Sequence, residues 1–409
     1  MRHEPSRRDT DLKLIKIRQL SSSEAKGSFL LGFIGFFRTF AVALVSPYLG
    51  LALYKKGVPL PYVGAVYVLL AVFGALGQIF GGSFSDKYGR RHVMFASQML
   101  SGLSLVAMGA LYAYSGYAPF LLATFIQNFF GSSNMAAFNA YVGDLGRDQG
   151  ELIKGYGLMR VGINIGWAVG PLLGGALIGF LGFSWAWTIS GIIVLSSSFF
   201  FLLLKAAQRH FSSLSLEAVK DLRYLFWTSP FMLIYAFVAQ FGLTLTIYET
   251  VYRGVPVYLY GLVYLLNGMI VAIFQMPMAR MLAKRNIIRW IEYALGLYML
   301  GFFIFSFGGL MYALLGTLVL TFGENILMPL AMTLANMLAK EEKRGTYLGL
   351  FGVLSSSSRS LGSLYGSLVL SDFRRGIEVW GLADVLGAAS LAYFSLVSRS
   401  YFKPRASST

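Results

Sequence analysis

The sequence predicts an all-α integral membrane protein of twelve transmembrane helices, arranged as two pseudo-symmetric six-helix bundles with both termini cytoplasmic. Three observations carry that expectation. Of the 409 residues, 56% are hydrophobic and only 13% are charged, which excludes a water-soluble core. The apolar residues come in repeated runs of about 20 or more, enough for a helix to cross a bilayer. The second half of the chain also echoes the first.

The first span, 27–53, follows a basic tail over 1–26. It is too long and wrongly flanked for a cleaved signal peptide, so no processing is expected. The second, 61–84, ends in GSFSDKYGRR. The third and fourth, 92–114 and 118–141, are separated by SGYAP, and the fifth and sixth, 155–182 and 184–204, by GFS. Connections this short force antiparallel hairpins, and only helices satisfy their own backbone groups in lipid. Residues 205–229 form the longest polar interruption, read as a cytoplasmic linker in which LEAVKDLRYLF is expected to be an amphipathic helix on the inner surface. Spans then resume at 230–252, 256–279, 288–308, 311–337, 346–370 and 379–398, with a cytoplasmic tail over 399–409. The domains expected are therefore 27–204 and 230–398.

Threaded alternately, these spans put 26 of the 34 lysines and arginines on one side and five on the other, so both termini are expected in the cytoplasm. The net charge of +16 is then an orientation signal and needs no nucleic-acid partner. With no cysteine, thiolate metal sites and cysteine nucleophiles are excluded, and His3, His92 and His210 form no ligand cluster. Neither a phosphate-binding loop nor paired catalytic groups appear. The chain is expected not to be an enzyme and to need no cofactor or metal.

The repeat is explicit. At an offset of 197, residues 57–87 match 254–284 at ten of 31 positions, including Gly57 with Gly254, Pro59 with Pro256, Gly64 with Gly261 and Tyr67 with Tyr264. A weaker echo at an offset of 192 pairs Gly170 and Gly174 with Gly362 and Gly366.

Two motifs narrow the reading. GSFSDKYGRR fits G-x-x-x-D-[RK]-x-G-[RK]-[RK] through Gly82, Asp86, Lys87, Gly89, Arg90 and Arg91. Gly82 is expected to permit close helix approach and Gly89 a tight turn or positive φ, with Arg90 and Arg91 anchoring the loop inside. GLMRVGINIGWAVGPLLGG, residues 157–175, matches G-x8-G-x3-G-P-x2-G-G at Gly157, Gly166, Gly170, Pro171, Gly174 and Gly175. Small residues at this spacing let helix backbones approach, and Pro171 removes a helical hydrogen bond.

On these residues the chain resembles the major facilitator superfamily over nearly its whole length. The second motif resembles the fifth-helix motif of its proton-coupled, drug-exporting antiporters. The resemblance implies that Asp86 meets the eleventh helix and a charge near the end of the fourth, a role that falls to Asp144, forming a latch on the inner gate. The second half has RMLAKRNIIR, with Ala283 for the acid and Asn286 for the glycine, so the latch is expected on one side only. That branch usually has arginine in the fourth helix where QNFFG has Gln127, with Arg160 as a substitute charge.

Charges within spans cost on the order of 3 kcal/mol each on insertion scales and mark pathways. Arg38, Glu324 and Arg359 are the candidates at midmembrane depth, with Asp384, Arg160 and Glu249 shallower; a structural ion pair is the alternative for each and the favoured one for Arg160 and Glu249. Because the first half has no acid at that depth, proton coupling would rest on Glu324 or Asp384. Aromatic runs such as FIGFFRTF, FIQNFF and GFFIFSF either line a permissive pocket or pack. Asn128, Asn134, Asn139, Asn164 and Asn325 either bind substrate or bond neighbouring helices.

The expected function is alternating-access export of small amphipathic or hydrophobic molecules, coupled to protons, by a monomer in the cell membrane. The alternatives are a sugar or organic-acid symporter or facilitator, and a non-transporting receptor or scaffold.

Overall fold

The computed structural model describes residues 30–114, 116–145, 149–204, 217–282, 285–340 and 343–401, and no strand occurs among them. The expected tail at 1–26, residues 402–409 of the expected tail at 399–409, most of the linker, His3, His210 and Ala283 lie outside the described residues, while 399–401 continue the last helix. The helical segments are α1 (Leu30–Lys55), α2 (Leu60–Tyr88), α3 (Arg90–Tyr114) and α4 (Tyr117–Leu145). One run from Gln149 to Leu203 is broken at Gly182, whose φ of 82° and ψ of 170° leave the helical region, giving α5 (149–181) and α6 (183–203). The second half holds α7 (Leu222–Tyr252), α8 (Val257–Leu282), α9 (Ile287–Phe305), α10 (Leu310–Leu338), α11 (Arg344–Asp372) and α12 (Gly376–Tyr401).

Among the described residues, nine stretches are long and apolar enough to cross a membrane, one of them being the 46-residue Leu158–Leu203 that Gly182 divides. Both α4 and α11, at 29 residues, have the length but fall short on apolarity. Their polar residues, including Gln127, Asn128 and Ser132 on α4 and Ser356, Ser357 and Ser360 on α11, line a central cavity.

The linker departs from expectation. LEAVKDLRYLF is not one amphipathic helix. Its helix stops at Lys220, and Asp221 leaves helical geometry to cap α7, its carboxylate accepting from Tyr224 N at 3.0 Å. The other carboxylate oxygen accepts from Tyr347 Oη of α11 at 2.7 Å, and Tyr224 Oη donates to Tyr347 O at 3.0 Å. These bonds to the charged form hold the Asp221 carboxyl below the usual carboxylate range, the Tyr347 hydroxyl contributing most.

The repeat has a structural counterpart. Gly57 and Gly254 both adopt positive φ, at 88° and 71°, just before α2 and α8. Gly64 of α2 packs on α11, where an added Cβ would stand 2.7 Å from Leu364 Cα. Its counterpart Gly261 of α8 packs on α5, with Leu172 Cα at 2.8 Å. The weaker echo behaves likewise. Gly170 and Gly174 pack on α1 at Ala43 and Leu44, and Gly362 and Gly366 pack on α7 at Ala236 and Thr244. Contacts between the halves therefore run chiefly through α2 with α11 and α5 with α8.

Candidate functional site

The cavity of about 680 Å³ lies between the halves and is lined by α1, α2, α4, α5 and α11. At the end away from the GSFSDKYGRR loop the helices close over it. Gly64 meets Leu364, Gly175 lies where a Cβ would stand 2.6 Å from Val257 O, and Tyr48 Oη donates to Pro171 O at 2.6 Å. Tyr48 and Tyr264 meet edge to face at 6.3 Å, and Thr246 bonds the hydroxyls of Tyr260 and Tyr264 at 3.2 and 3.0 Å. Tyr67, the counterpart of Tyr264 in the repeat, lines the cavity. Toward the loop end, exposed Val353 of α11 belongs to the cavity lining.

Arg38 sits on the cavity wall. Its Nε donates to Asn134 Oδ1 at 2.7 Å and its Nη2 to Gly131 O at 3.0 Å, while Asn134 Nδ2 donates to Met94 O at 2.8 Å. In the other half, Asn267 Nδ2 donates to Glu324 Oε2 at 2.7 Å and to Thr321 Oγ1 at 3.0 Å. Arg359 stands over the Tyr235 ring at 4.9 Å and is within electrostatic reach of Glu324, with no ion pair between them among the described residues. Asp384 keeps one buried carboxylate oxygen without a hydrogen-bond partner. Exposed Arg160 has no bonded partner among the described residues and lies outside the cavity lining. Fully buried Glu249 accepts from Gly309 N at 2.8 Å at the α10 N-terminus, while its other carboxyl oxygen has no hydrogen-bond partner among the described residues.

The loop motif is arranged differently from the sequence reading. Close helix approach occurs at Gly81, where a Cβ would stand 2.7 Å from the Ser133 carbonyl carbon, whereas Gly82 faces open space. Gly89 takes the positive φ of 96° that ends α2. Arg90 is no surface anchor: it is 9% exposed, pairs with Asp86, and reaches Asp144 at 2.8 Å. It also donates to Ser85 Oγ at 2.5 Å. Arg91 is half-buried, and Lys87 lies over the Tyr88 ring at 5.2 Å. Among the described residues Asp86 pairs with Arg90 and with no residue of α11. Asn286 of the second-half loop caps α9, accepting from Arg289 N at 3.2 Å.

Three of the fifth-helix glycines share a face. Gly166, Gly170 and Gly174 lie against the α1 backbone or Cβ atoms, and Gly175 turns to α8; Gly157 is helical. Pro171 lies within the helix and its carbonyl takes the Tyr48 hydroxyl. Gln127 lines the cavity and donates to Ser101 Oγ at 3.3 Å. The phenylalanine runs pack rather than line the cavity: Phe36 stacks on Phe40 at 5.4 Å, and Phe302 and Phe305 pack on Trp380. The aromatic liners are Tyr67 and Trp167. Sequence reasoning missed Asn267, Gln78 and the α11 serines. Gln78 is one of the ten repeated positions, matching Gln275 at the offset of 197, but nothing in the sequence pointed to Asn267 as the partner of Glu324.

Comparison with known proteins agrees with this architecture. The chain is 26% identical over 337 residues to the uncharacterized MFS-type transporter YttB of Bacillus subtilis, covering 78% of this chain and 81% of that one. It is 25% identical over 207 residues to a bicyclomycin resistance protein homolog of Haemophilus influenzae, covering 47% of this chain and 50% of the other. The crystal structure of the nucleoside transporter NupG superposes with a TM-score of 0.75 at 14% identity, covering 92% of this chain and 99% of that one. The family model of the Major Facilitator Superfamily matches residues 31–363, and the chain belongs to that superfamily of membrane transporters.

Proposed function

We propose that this chain exports small amphipathic or hydrophobic molecules across the cell membrane by alternating access, driven by protons. The cavity between the halves carries the reading, since it is sealed at one end by Gly64, Tyr48 and Gly175 and faces the loop end at the other. We read twelve crossings, bundles over 27–204 and 230–398, and the basic loops as cytoplasmic, which makes this the inward-facing state. Arg90, holding both Asp86 and Asp144, keeps the loop shaped to receive α11 when the inner side closes. In this state the latch is open.

Glu324 is the proton carrier in this scheme. Its partner Asn267 is neutral and Arg359 is near without pairing, so protonation breaks no ion pair. The similarity to a bicyclomycin resistance protein homolog and the fifth-helix motif support export rather than uptake. The protein works as a monomer in this reading. In proteoliposomes, Glu324→Gln is expected to retain downhill exchange and to lose accumulation driven by a pH gradient. Wild-type coupling in the variant would remove Glu324 as the carrier.

A further inference from the structure

The cavity lining carries charge of one sign. Arg38 is its ionised side chain, and no aspartate or glutamate lines it among the described residues. The guanidinium is oriented in advance, because Asn134 Oδ1 and Gly131 O take two of its N–H groups and Met94 O fixes Asn134. Both acceptors on Arg38 are neutral. Its remaining N–H groups, Nη1 among them, have no protein acceptor among the described residues.

The facing wall adds no negative charge. On α11, Arg359 is exposed beside the lining residue Ser360, and Glu324 is engaged by Asn267. A cation inside a membrane protein is costly without a counter-charge, and that cost falls when an anion arrives. Around this fork the cavity offers hydroxyl and amide donors, as at Ser132 and Gln127, and apolar surface at Leu70, Ile163 and Trp167. A planar guanidinium fork suits a carboxylate, sulfonate or phosphate group, and the apolar wall suits an aromatic or aliphatic body.

We propose that the molecules this cavity takes are amphipathic anions whose acidic group binds Arg38. The inference deepens the export reading and rests on it. It excludes cationic amphiphiles as good substrates, since they would meet Arg38 with no carboxylate to offset it.

The test uses three probes on the purified protein in nanodiscs and in proteoliposomes. These are 8-anilinonaphthalene-1-sulfonate, its uncharged relative N-phenyl-1-naphthylamine, and the cation ethidium. The first two share an aryl frame, so their difference isolates the acidic group. We expect the sulfonate to bind more tightly than phenylnaphthylamine and ethidium by roughly tenfold to a hundredfold, the range of a charge-assisted hydrogen bond. Arg38→Gln should abolish that preference while leaving phenylnaphthylamine within about twofold. If that variant does not fold, Gln78→Glu places a carboxylate in the same cavity, and the sulfonate should weaken while phenylnaphthylamine does not. Equal binding of sulfonate and phenylnaphthylamine by the wild type, or preference for ethidium, overturns the inference. If the sulfonate binds selectively but no probe moves across proteoliposomes, the export reading fails and the anion site stands.

Discussion

Replacing Gly174 by alanine tests the contact that fixes α5 against α1. A Cβ there would stand 2.5 Å from the Leu44 carbonyl carbon and nearer still to its oxygen. Ordinary contacts begin above 3 Å and the oxygen is the nearest atom, so the two helices must part by more than about 1 Å. The obstacle is backbone, which cannot rotate away as a side chain can. Overpacking of this kind costs typically 1–3 kcal/mol, and a backbone obstacle places Gly174→Ala at about 2–3 kcal/mol. Gly170→Ala meets Ala43 Cβ at 2.7 Å and should fall near 1–2 kcal/mol. Gly82→Ala meets nothing within 4 Å and lies inside α2. It should be neutral or stabilising by about 0.5–1 kcal/mol, the helix propensity difference. Thermal unfolding of the purified proteins in one detergent, at one scan rate, gives the order: Gly174→Ala lowest, Gly170→Ala next, Gly82→Ala at or above wild type. A Gly174→Ala midpoint equal to that of Gly82→Ala would refute the packing argument, because a glycine pressed on backbone would then behave like one facing open space.

Removing Arg90 should harm more than removing either acid, since Arg90→Gln leaves Asp86 and Asp144 facing each other. A loss of about 3–5 kcal/mol follows for breaking a buried pair, and Asp86→Asn combined with Arg90→Gln should recover part of it in a double-mutant cycle. Asp221 is held below the usual carboxylate range, so its stabilising contribution is complete above the ordinary carboxylate value and is lost as pH falls through the lower folded value. Amide protection factors over 217–228, taken relative to intrinsic exchange at each pH, should therefore fall on acidification into that range, and Tyr347→Phe should shift the fall to higher pH; an unchanged profile in the variant removes Tyr347 as the cause.

The all-helical membrane class and the approximate places of the helices were legible in the sequence, because hydrocarbon leaves the backbone no partner but its own helix and tolerates few charges, whereas helices such as α5 and α7 begin several residues before their expected spans. The offset-197 repeat likewise announced paired structures, and Gly57 with Gly254 and Gly64 with Gly261 occupy equivalent places in the two halves. Cavity-lining helices were harder to read from hydropathy alone, since α4 and α11 give up apolarity to line the cavity.

Partnership was decided only in three dimensions. Gly81 rather than Gly82 meets α4, Arg90 is drawn inward between two acids, Asn267 takes Glu324, and Asp221 breaks the linker helix. Each depends on which residues from distant parts of the chain arrive within a few ångströms. Composition and periodicity describe a helix's own faces, whereas the crossing point of two helices, which selects the contacting glycine and the bonded charge, is set by how their side chains interlock.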